Sequence, residues 1–145
     1  MKKNDIIKAA ITDMSINGEG IGRFDGMPFF ILGAITGDEV TAGITKLKKN
    51  YGYARLISID KPSGHRITPP CPVSEKCGGC TLMAMDYKAQ LALKEKMVKD
   101  ALIRIGKFEA SFIDDILSPI IAMEDPFHFR NKAQCPIGMD KEGNL

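Results

Sequence analysis

Asp13-Met14-Ser15-Ile16-Asn17-Gly18-Glu19-Gly20-Ile21-Gly22 places three glycines within five residues, between the apolar runs Ile6 to Met14 and Met27 to Leu32. Glycine at that density reads as a turn joining two strands, because it enters backbone conformations closed to other residues. A phosphate-cradling loop would need a helix opening directly after it, and no helical period follows. Outward from the turn, Gly33 and Gly37-Asp38 punctuate the chain. Glu39 to Leu47 then alternates, with Val40, Ala42 and Ile44 on one side. Tyr53 to Ile59 places Tyr53, Arg55, Ile57 and Ile59 on one side, and Ala54, Leu56 and Ser58 on the other. Short strands at this spacing predict a small sandwich or barrel over residues 5–60.

The chain has 145 residues, 44% apolar and 26% charged, enough for one ordinary domain or two small ones. Its net charge of +2 excludes a chain-wide polycation, so any nucleic-acid signal has to be local. Between Lys46 and Arg66, six basic residues (Lys46, Lys48, Lys49, Arg55, Lys61, Arg66) face one acid, Asp60, a balance of +5. Tyr51 and Tyr53 interleave with them. Cations hold phosphates and exposed rings stack on unpaired bases, so this window is a candidate RNA surface that discriminates little between sequences. The alternative is a solvated hairpin tip with one inward tyrosine. The N-terminus lacks the apolar core of a secretory signal. No run reaches the roughly 18 apolar residues of a membrane span. The expectation is a cytoplasmic protein with no membrane partner and reduced thiols.

Cys71-Pro72-Val73-Ser74-Glu75-Lys76-Cys77-Gly78-Gly79-Cys80 follows a proline-rich linker over 60–70. Three thiols spaced C-x5-C-x2-C in a polar loop suggest metal rather than disulfide, because thiolates are the soft ligands of zinc and iron–sulfur clusters. A fourth ligand is missing from the loop. His65 could supply it, or could simply be solvated or touch RNA. After Cys80 the period turns helical, with Tyr87, Leu91, Val98, Leu102 and Ile105 on one stripe, Asp86 as cap and Gly106 as stop. Phe112 to Ile121 is a short apolar piece broken by Pro119, and Glu124-Asp125-Pro126 a turn. Phe127 to Gly138 reads as a strand and Asp140 to Asn144 as its hairpin turn, with no returning strand, so the chain reads as truncated.

The segment Asp13 to Gly22, with Phe29-Phe30-Ile31 and Gly37-Asp38-Glu39-Val40, resembles a TRAM domain, a small RNA-binding β-barrel. With the cysteine loop and Phe127-His128-Phe129-Arg130-Asn131-Lys132-Ala133-Gln134, the whole chain is similar to the N-terminal part of the uracil-5 RNA methyltransferases, which modify 23S ribosomal RNA or transfer RNA. The resemblance implies an α+β protein. An OB-like barrel would occupy residues 1–60, and an incomplete α+β central domain with the cysteine loop would occupy 61–145. It implies Cys71, Cys77 and Cys80 as ligands of a 4Fe–4S cluster and a fourth cysteine beyond Leu145; Cys135 reads as a buried thiol, with completion of the site in this chain as the alternative. It implies RNA contacts at Lys46, Lys48, Lys49, Tyr51, Arg55, Arg130 and Lys132, and no obligatory protein partner. In that family a cysteine attacks C6 of uracil and S-adenosylmethionine supplies a methyl group to C5. No catalytic residue and no adenosylmethionine site matches here, so this chain alone is expected to be inactive. Two other readings stand beside it. One is a free-standing RNA-binding module with a structural zinc or no metal. The other, a radical methylthiotransferase, is disfavoured because its C-x3-C-x2-C motif and C-terminal TRAM both disagree.

Overall fold

The computed structural model describes residues 1–128, 137–139 and 141–143. Five strands, β1 (Ile6–Met14), β2 (Gly20–Phe24), β3 (Met27–Leu32), β4 (Glu39–Leu47) and β5 (Gly52–Lys61), close into a barrel in the order β1-β2-β3-β5-β4. All neighbours are antiparallel except β3 and β5, which run parallel. Closure pairs β1 with β4 and removes the open edges a flat sheet would expose.

The alternation expected of β4 holds: Val40, Ala42 and Ile44 are buried beside Ile7, Ile11, Phe29, Ile31, Ala34 and Ala54. In β5 it breaks. Thr41 pairs with Ser58 but Ala42 with Leu56, so Ile57 bulges outward, and Ile59 joins Leu56 against the core instead of sharing the face of Arg55. The glycine-rich stretch also differs from expectation. Only its first half turns, and Gly20 and Gly22 lie inside β2. A methyl group on Gly20 would stand 2.8 Å from the Ala34 carbonyl oxygen, and one on Gly22 would stand 2.9 Å from Ala9 Cβ. These glycines serve close packing across the barrel wall. The turn between β2 and β3 is Asp25-Gly26, at φ 48° and 77°. Positive φ at both central residues matches the twist of a tight hairpin.

Beyond Lys61 come α1 (Ser74–Cys77), α2 (Tyr87–Arg104) and α3 (Ala110–Ile116). Asp86 caps α2, accepting from Ala89 N at 2.8 Å. The buried face is not the expected stripe. Leu93, with Ala89 and Met97, packs on Met14 and Ile35 of the barrel and on Met85, whereas Val98 is 51% and Ile105 82% exposed. Lys96 reaches Asp13 on β1 at 3.1 Å and Asp100 at 2.9 Å, and Lys99 pairs with Asp114 of α3. α3 begins two residues before the apolar piece expected at Phe112 to Ile121, covers it only as far as Ile116, and buries Ile113. Of the expected final strand, residues 129–136 lie outside the described residues; Phe127, His128 and 137–139 are not in a strand. No helix among the described residues is long and apolar enough to cross a membrane.

Candidate nucleic-acid interface

Strand pairing lays the outward side chains of the barrel in rows. Ile21 pairs with Phe30, Phe30 with Tyr53, and Tyr53 with Lys46, giving one row across β2, β3, β5 and β4. In the next row Leu32 pairs with Arg55, and Arg55 with Gly43, where an added methyl would stand 3.4 Å from Ile57 Cδ1. Tyr51, in the β4–β5 loop, completes a ring cluster: its centroid lies 5.7 Å from both Phe30 and Tyr53, and Phe30 lies 5.6 Å from Tyr53. Lys48 N donates to Tyr51 O at 2.8 Å, so the same loop that presents Lys48 and Lys49 fixes Tyr51. Desolvation, then the neighbouring Tyr51 and Glu19, push the Tyr53 phenol above its ordinary value.

The six basic residues of the charged window separate into two groups. Lys61 pairs with Glu39 at 3.1 Å, and Arg66 is committed to Asp38. Lys46, Lys48, Lys49 and Arg55 are exposed and have no carboxylate partner among the described residues. The structure therefore places Lys46 and Arg55 in register beside three clustered rings, and Lys48 and Lys49 in the loop that carries one of those rings, Tyr51. Arg130 and Lys132 lie outside the described residues, as does Cys135. Phe30 was hidden in an apolar run; the two-residue period of Phe29-Phe30, one inward and one outward, was the signal for it.

Asp38 is the buried group that sequence reasoning took as turn punctuation. Its side chain is fully buried and accepts from Ile35 N (2.9 Å), Ser63 N (2.8 Å) and the Arg66 guanidinium (Nη2 at 2.5 Å), while Arg66 Nη2 also donates to Gly33 O at 2.8 Å. Burial alone would raise its pKa; the Arg66, Ile35 and Ser63 hydrogen bonds outweigh that and hold it below the ordinary carboxylate value. This pair ties the β3–β4 loop to the linker carrying the cysteine loop. His65 is held too, its Nδ1 2.8 Å from Asp86 at the start of α2.

In the cysteine loop, Cys71 is half-buried and Cys77 and Cys80 are exposed. Cys77 closes the single turn of α1, its N–H donating to Val73 O at 2.8 Å, and Gly78 ends the turn at φ 66°. A groove of about 570 Å³, lined among others by Leu32, Leu56, Ile57, Arg66, Cys80 and Thr81, runs between the barrel and this loop. A smaller cleft of about 360 Å³ beside it is lined by Glu19, Phe30, Leu32, Thr45, Tyr53 and Arg55, with Ala54 and Leu56. The thiols have the right chemistry for a soft metal or cluster. Among the described residues no three His, Cys, Asp or Glu side chains gather as a metal site.

Residues 2–57 match the TRAM domain family. An uncharacterized RNA methyltransferase of Listeria innocua is 44% identical over 95% of this chain and 29% of its own length. A protein of the same description from Clostridium tetani is 45% identical over 97% of this chain and 30% of its own. The chain thus spans about 30% of the length of these relatives. Among solved structures, the tRNA (uracil-54, C5)-methyltransferase of Pyrococcus abyssi, in complex with S-adenosyl-L-homocysteine, is 28% identical. It overlays 70% of this chain and 22% of its own with a TM-score of 0.46. An overlay that loose decides neither fold nor substrate.

Proposed function

We propose that this chain, whose residues 2–57 are a TRAM domain, is the RNA-gripping N-terminal part of a cytoplasmic uracil-5 RNA methyltransferase acting on 23S ribosomal RNA. The observation that carries this is the face on which Lys46, Lys48, Lys49 and Arg55 stand unpaired around Phe30, Tyr51 and Tyr53. Cations at the loop tip hold phosphates while the rings offer stacking surface to bases that are not paired. Residues 1–60 would form the RNA-binding unit, and 61–145 would begin a second unit carrying the cysteine loop. S-adenosylmethionine would be the methyl donor of the full-length protein, in which this chain's part would be to grip RNA. Cys71, Cys77 and Cys80 would hold a 4Fe–4S cluster, which would supply bonds that draw the loop into one conformation.

The test is fluorescence anisotropy with a labelled single-stranded RNA between 50 and 200 mM salt. Four neutralised phosphates predict a log–log slope of about −3 on a single strand. Replacing Lys46, Lys48 and Lys49 by alanine should weaken binding to all sequences and reduce that slope by about 2. Salt-independent binding, or an unchanged triple variant, would overturn the reading. Iron and sulfide per chain after anaerobic reconstitution test the cluster separately. Cys77→Ser should abolish both, and a colourless zinc-loaded or metal-free loop would leave only the RNA-binding module.

A further inference from the structure

We propose that Glu19 selects guanine at the base position beside Phe30 and Tyr53. The inference rests on the RNA-binding reading above and adds base selection to it. A carboxylate is out of place on a face that gathers phosphates, since like charges repel where RNA is drawn in. Yet Glu19 lines the 360 Å³ cleft together with Arg55, Tyr53 and Phe30, and among the described residues no cation pairs with it. The turn does not depend on the carboxylate. Ser15 N donates to Glu19 O at 2.8 Å and Gly18 N to Ser15 O at 2.9 Å, closing it through the backbone. What the turn does is aim the side chain: Ser15 Oγ donates to Glu19 Oε2 at 2.8 Å, and the Glu19 and Asn17 amides hold that hydroxyl, each at 3.2 Å. One oxygen is thereby fixed in place and the carboxylate keeps most of its accepting capacity.

An ionised carboxylate only accepts hydrogen bonds, so a base favoured there must present donors. Guanine offers N1–H and the exocyclic amino group side by side, matching two carboxylate oxygens. Adenine and cytosine each offer one amino group next to a ring acceptor. Uracil offers a single N3–H between two carbonyls, which the carboxylate repels. With the base stacked on Phe30 and Tyr53, Lys46 at the end of the same row and Arg55 in the next stand ready to take the flanking phosphates. The lysines at the tip position the strand without reading it, and Glu19 supplies the discrimination.

The experiment uses four labelled oligouridylates that differ at one central position (G, A, C or U), titrated by anisotropy against the wild-type chain, Glu19→Gln and Glu19→Ala. Gln keeps an acceptor for Ser15 Oγ, so its turn should stand. In the wild type the G-containing strand should bind on the order of fivefold tighter than the all-U strand, the low end for a bidentate base contact, with A and C between. Both variants should lose that order while binding the all-U strand at least as well as the wild type does. Equal binding of all four strands by the wild type, or a G preference surviving both substitutions, would overturn the assignment and leave RNA binding intact. No binding of any strand would overturn the RNA-binding reading, and this inference with it.

Discussion

In the barrel, nine apolar side chains from β1, β3, β4, β5 and the β3–β4 loop are buried together, and every strand edge is paired. After Lys61, the only buried apolar side chains among the described residues are Met85, Leu93 and Ile113. Two of those, Met85 and Leu93, reach their packing by borrowing Met14 and Ile35 from the barrel. The same part leaves Ile105 82% and Ile121 94% exposed. A closed sheet satisfies itself, whereas a helix buries one face only if something else supplies the other half of the core. Coupling should therefore run one way: damage to the barrel releases the helices, and damage to the helices spares the barrel. The proposed RNA face lies on the self-sufficient part and the cysteine loop on the dependent one.

The largest expected effect tests that asymmetry directly. Phe29 is fully buried and its ring fills the space over Gly52, where an added methyl would stand 2.4 Å from it. Phe29→Ala should cost about 3–5 kcal/mol and unfold barrel and helices together. Urea titration followed at once by helical circular dichroism and by tyrosine fluorescence, in a Tyr87→Phe background that leaves Tyr51 and Tyr53 to report the barrel, checks it. Helices that persist after the barrel signal is lost would break the comparison.

Next comes the joint between the two parts. Asp38→Asn leaves Arg66, only 15% exposed at its side chain, without its counter-charge, and removing one partner of a buried pair costs about 3 kcal/mol or more. The wild type should also carry an acid signature. Because the folded state holds the Asp38 pKa below the unfolded value, the stability it confers is present in full above the ordinary carboxylate range and is lost as pH falls through the folded value. Denaturation curves between pH 7 and pH 3 should fall more steeply for wild type than for Asp38→Asn. Parallel profiles would show that Asp38 is not the group tying the linker down.

How legible each part was follows from the same contrast. β1 and β3 could be read as apolar runs and β4 by its inner and outer alternation, patterns local to each strand, whereas the alternation read for β5 broke at a bulge. β2 was missed because its glycines are explained only by what lies across the wall, Ala9 and Ala34, which no local pattern reveals. Asp38 was missed for a related reason: Gly37-Asp38 looks like any turn until Arg66, 28 residues later, is brought against it. The cations of the RNA face were legible as a cluster, but their count was not, since Glu39 and Asp38 remove two of them. The cysteine spacing was visible in the sequence, while the half-buried Cys71 and exposed Cys77 and Cys80 belong to the folded loop.

A smaller effect belongs to the start of α2. Asp86 accepts from Ala89 N, and that bond first, with the His65 contact, lowers its pKa. Asp86→Ala should cost about 1 kcal/mol, as lost N-caps do, and should release His65 from the helix. Helical circular dichroism at the α2 transition checks the cost, and the barrel transition seen by the fluorescence of Tyr51 and Tyr53, in a Tyr87→Phe background because Tyr87 lies in α2, should not move. A barrel midpoint that shifted as far as the helical one would mean the linker transmits strain in both directions.

The smallest effect separates the two faces of α2. Val98 and Ile105 share the stripe that apolar periodicity selects, yet both are mostly in solvent, and Leu93 and Met97 make the contact with Met14, Ile35 and Met85. Helical period alone cannot choose between two apolar stripes; the barrel end that receives the helix chooses. Val98→Ser and Ile105→Ser should each change stability by less than about 0.5 kcal/mol, as surface substitutions do. Leu93→Ala, at a site that can partly collapse, should cost about 2 kcal/mol and act on the helical transition. The decisive reading is the order of the three helical midpoints. If Ile105→Ser lowered the midpoint more than Leu93→Ala, the face given by periodicity would be the packed one, and the dependence of α2 on Met14 and Ile35 would fall.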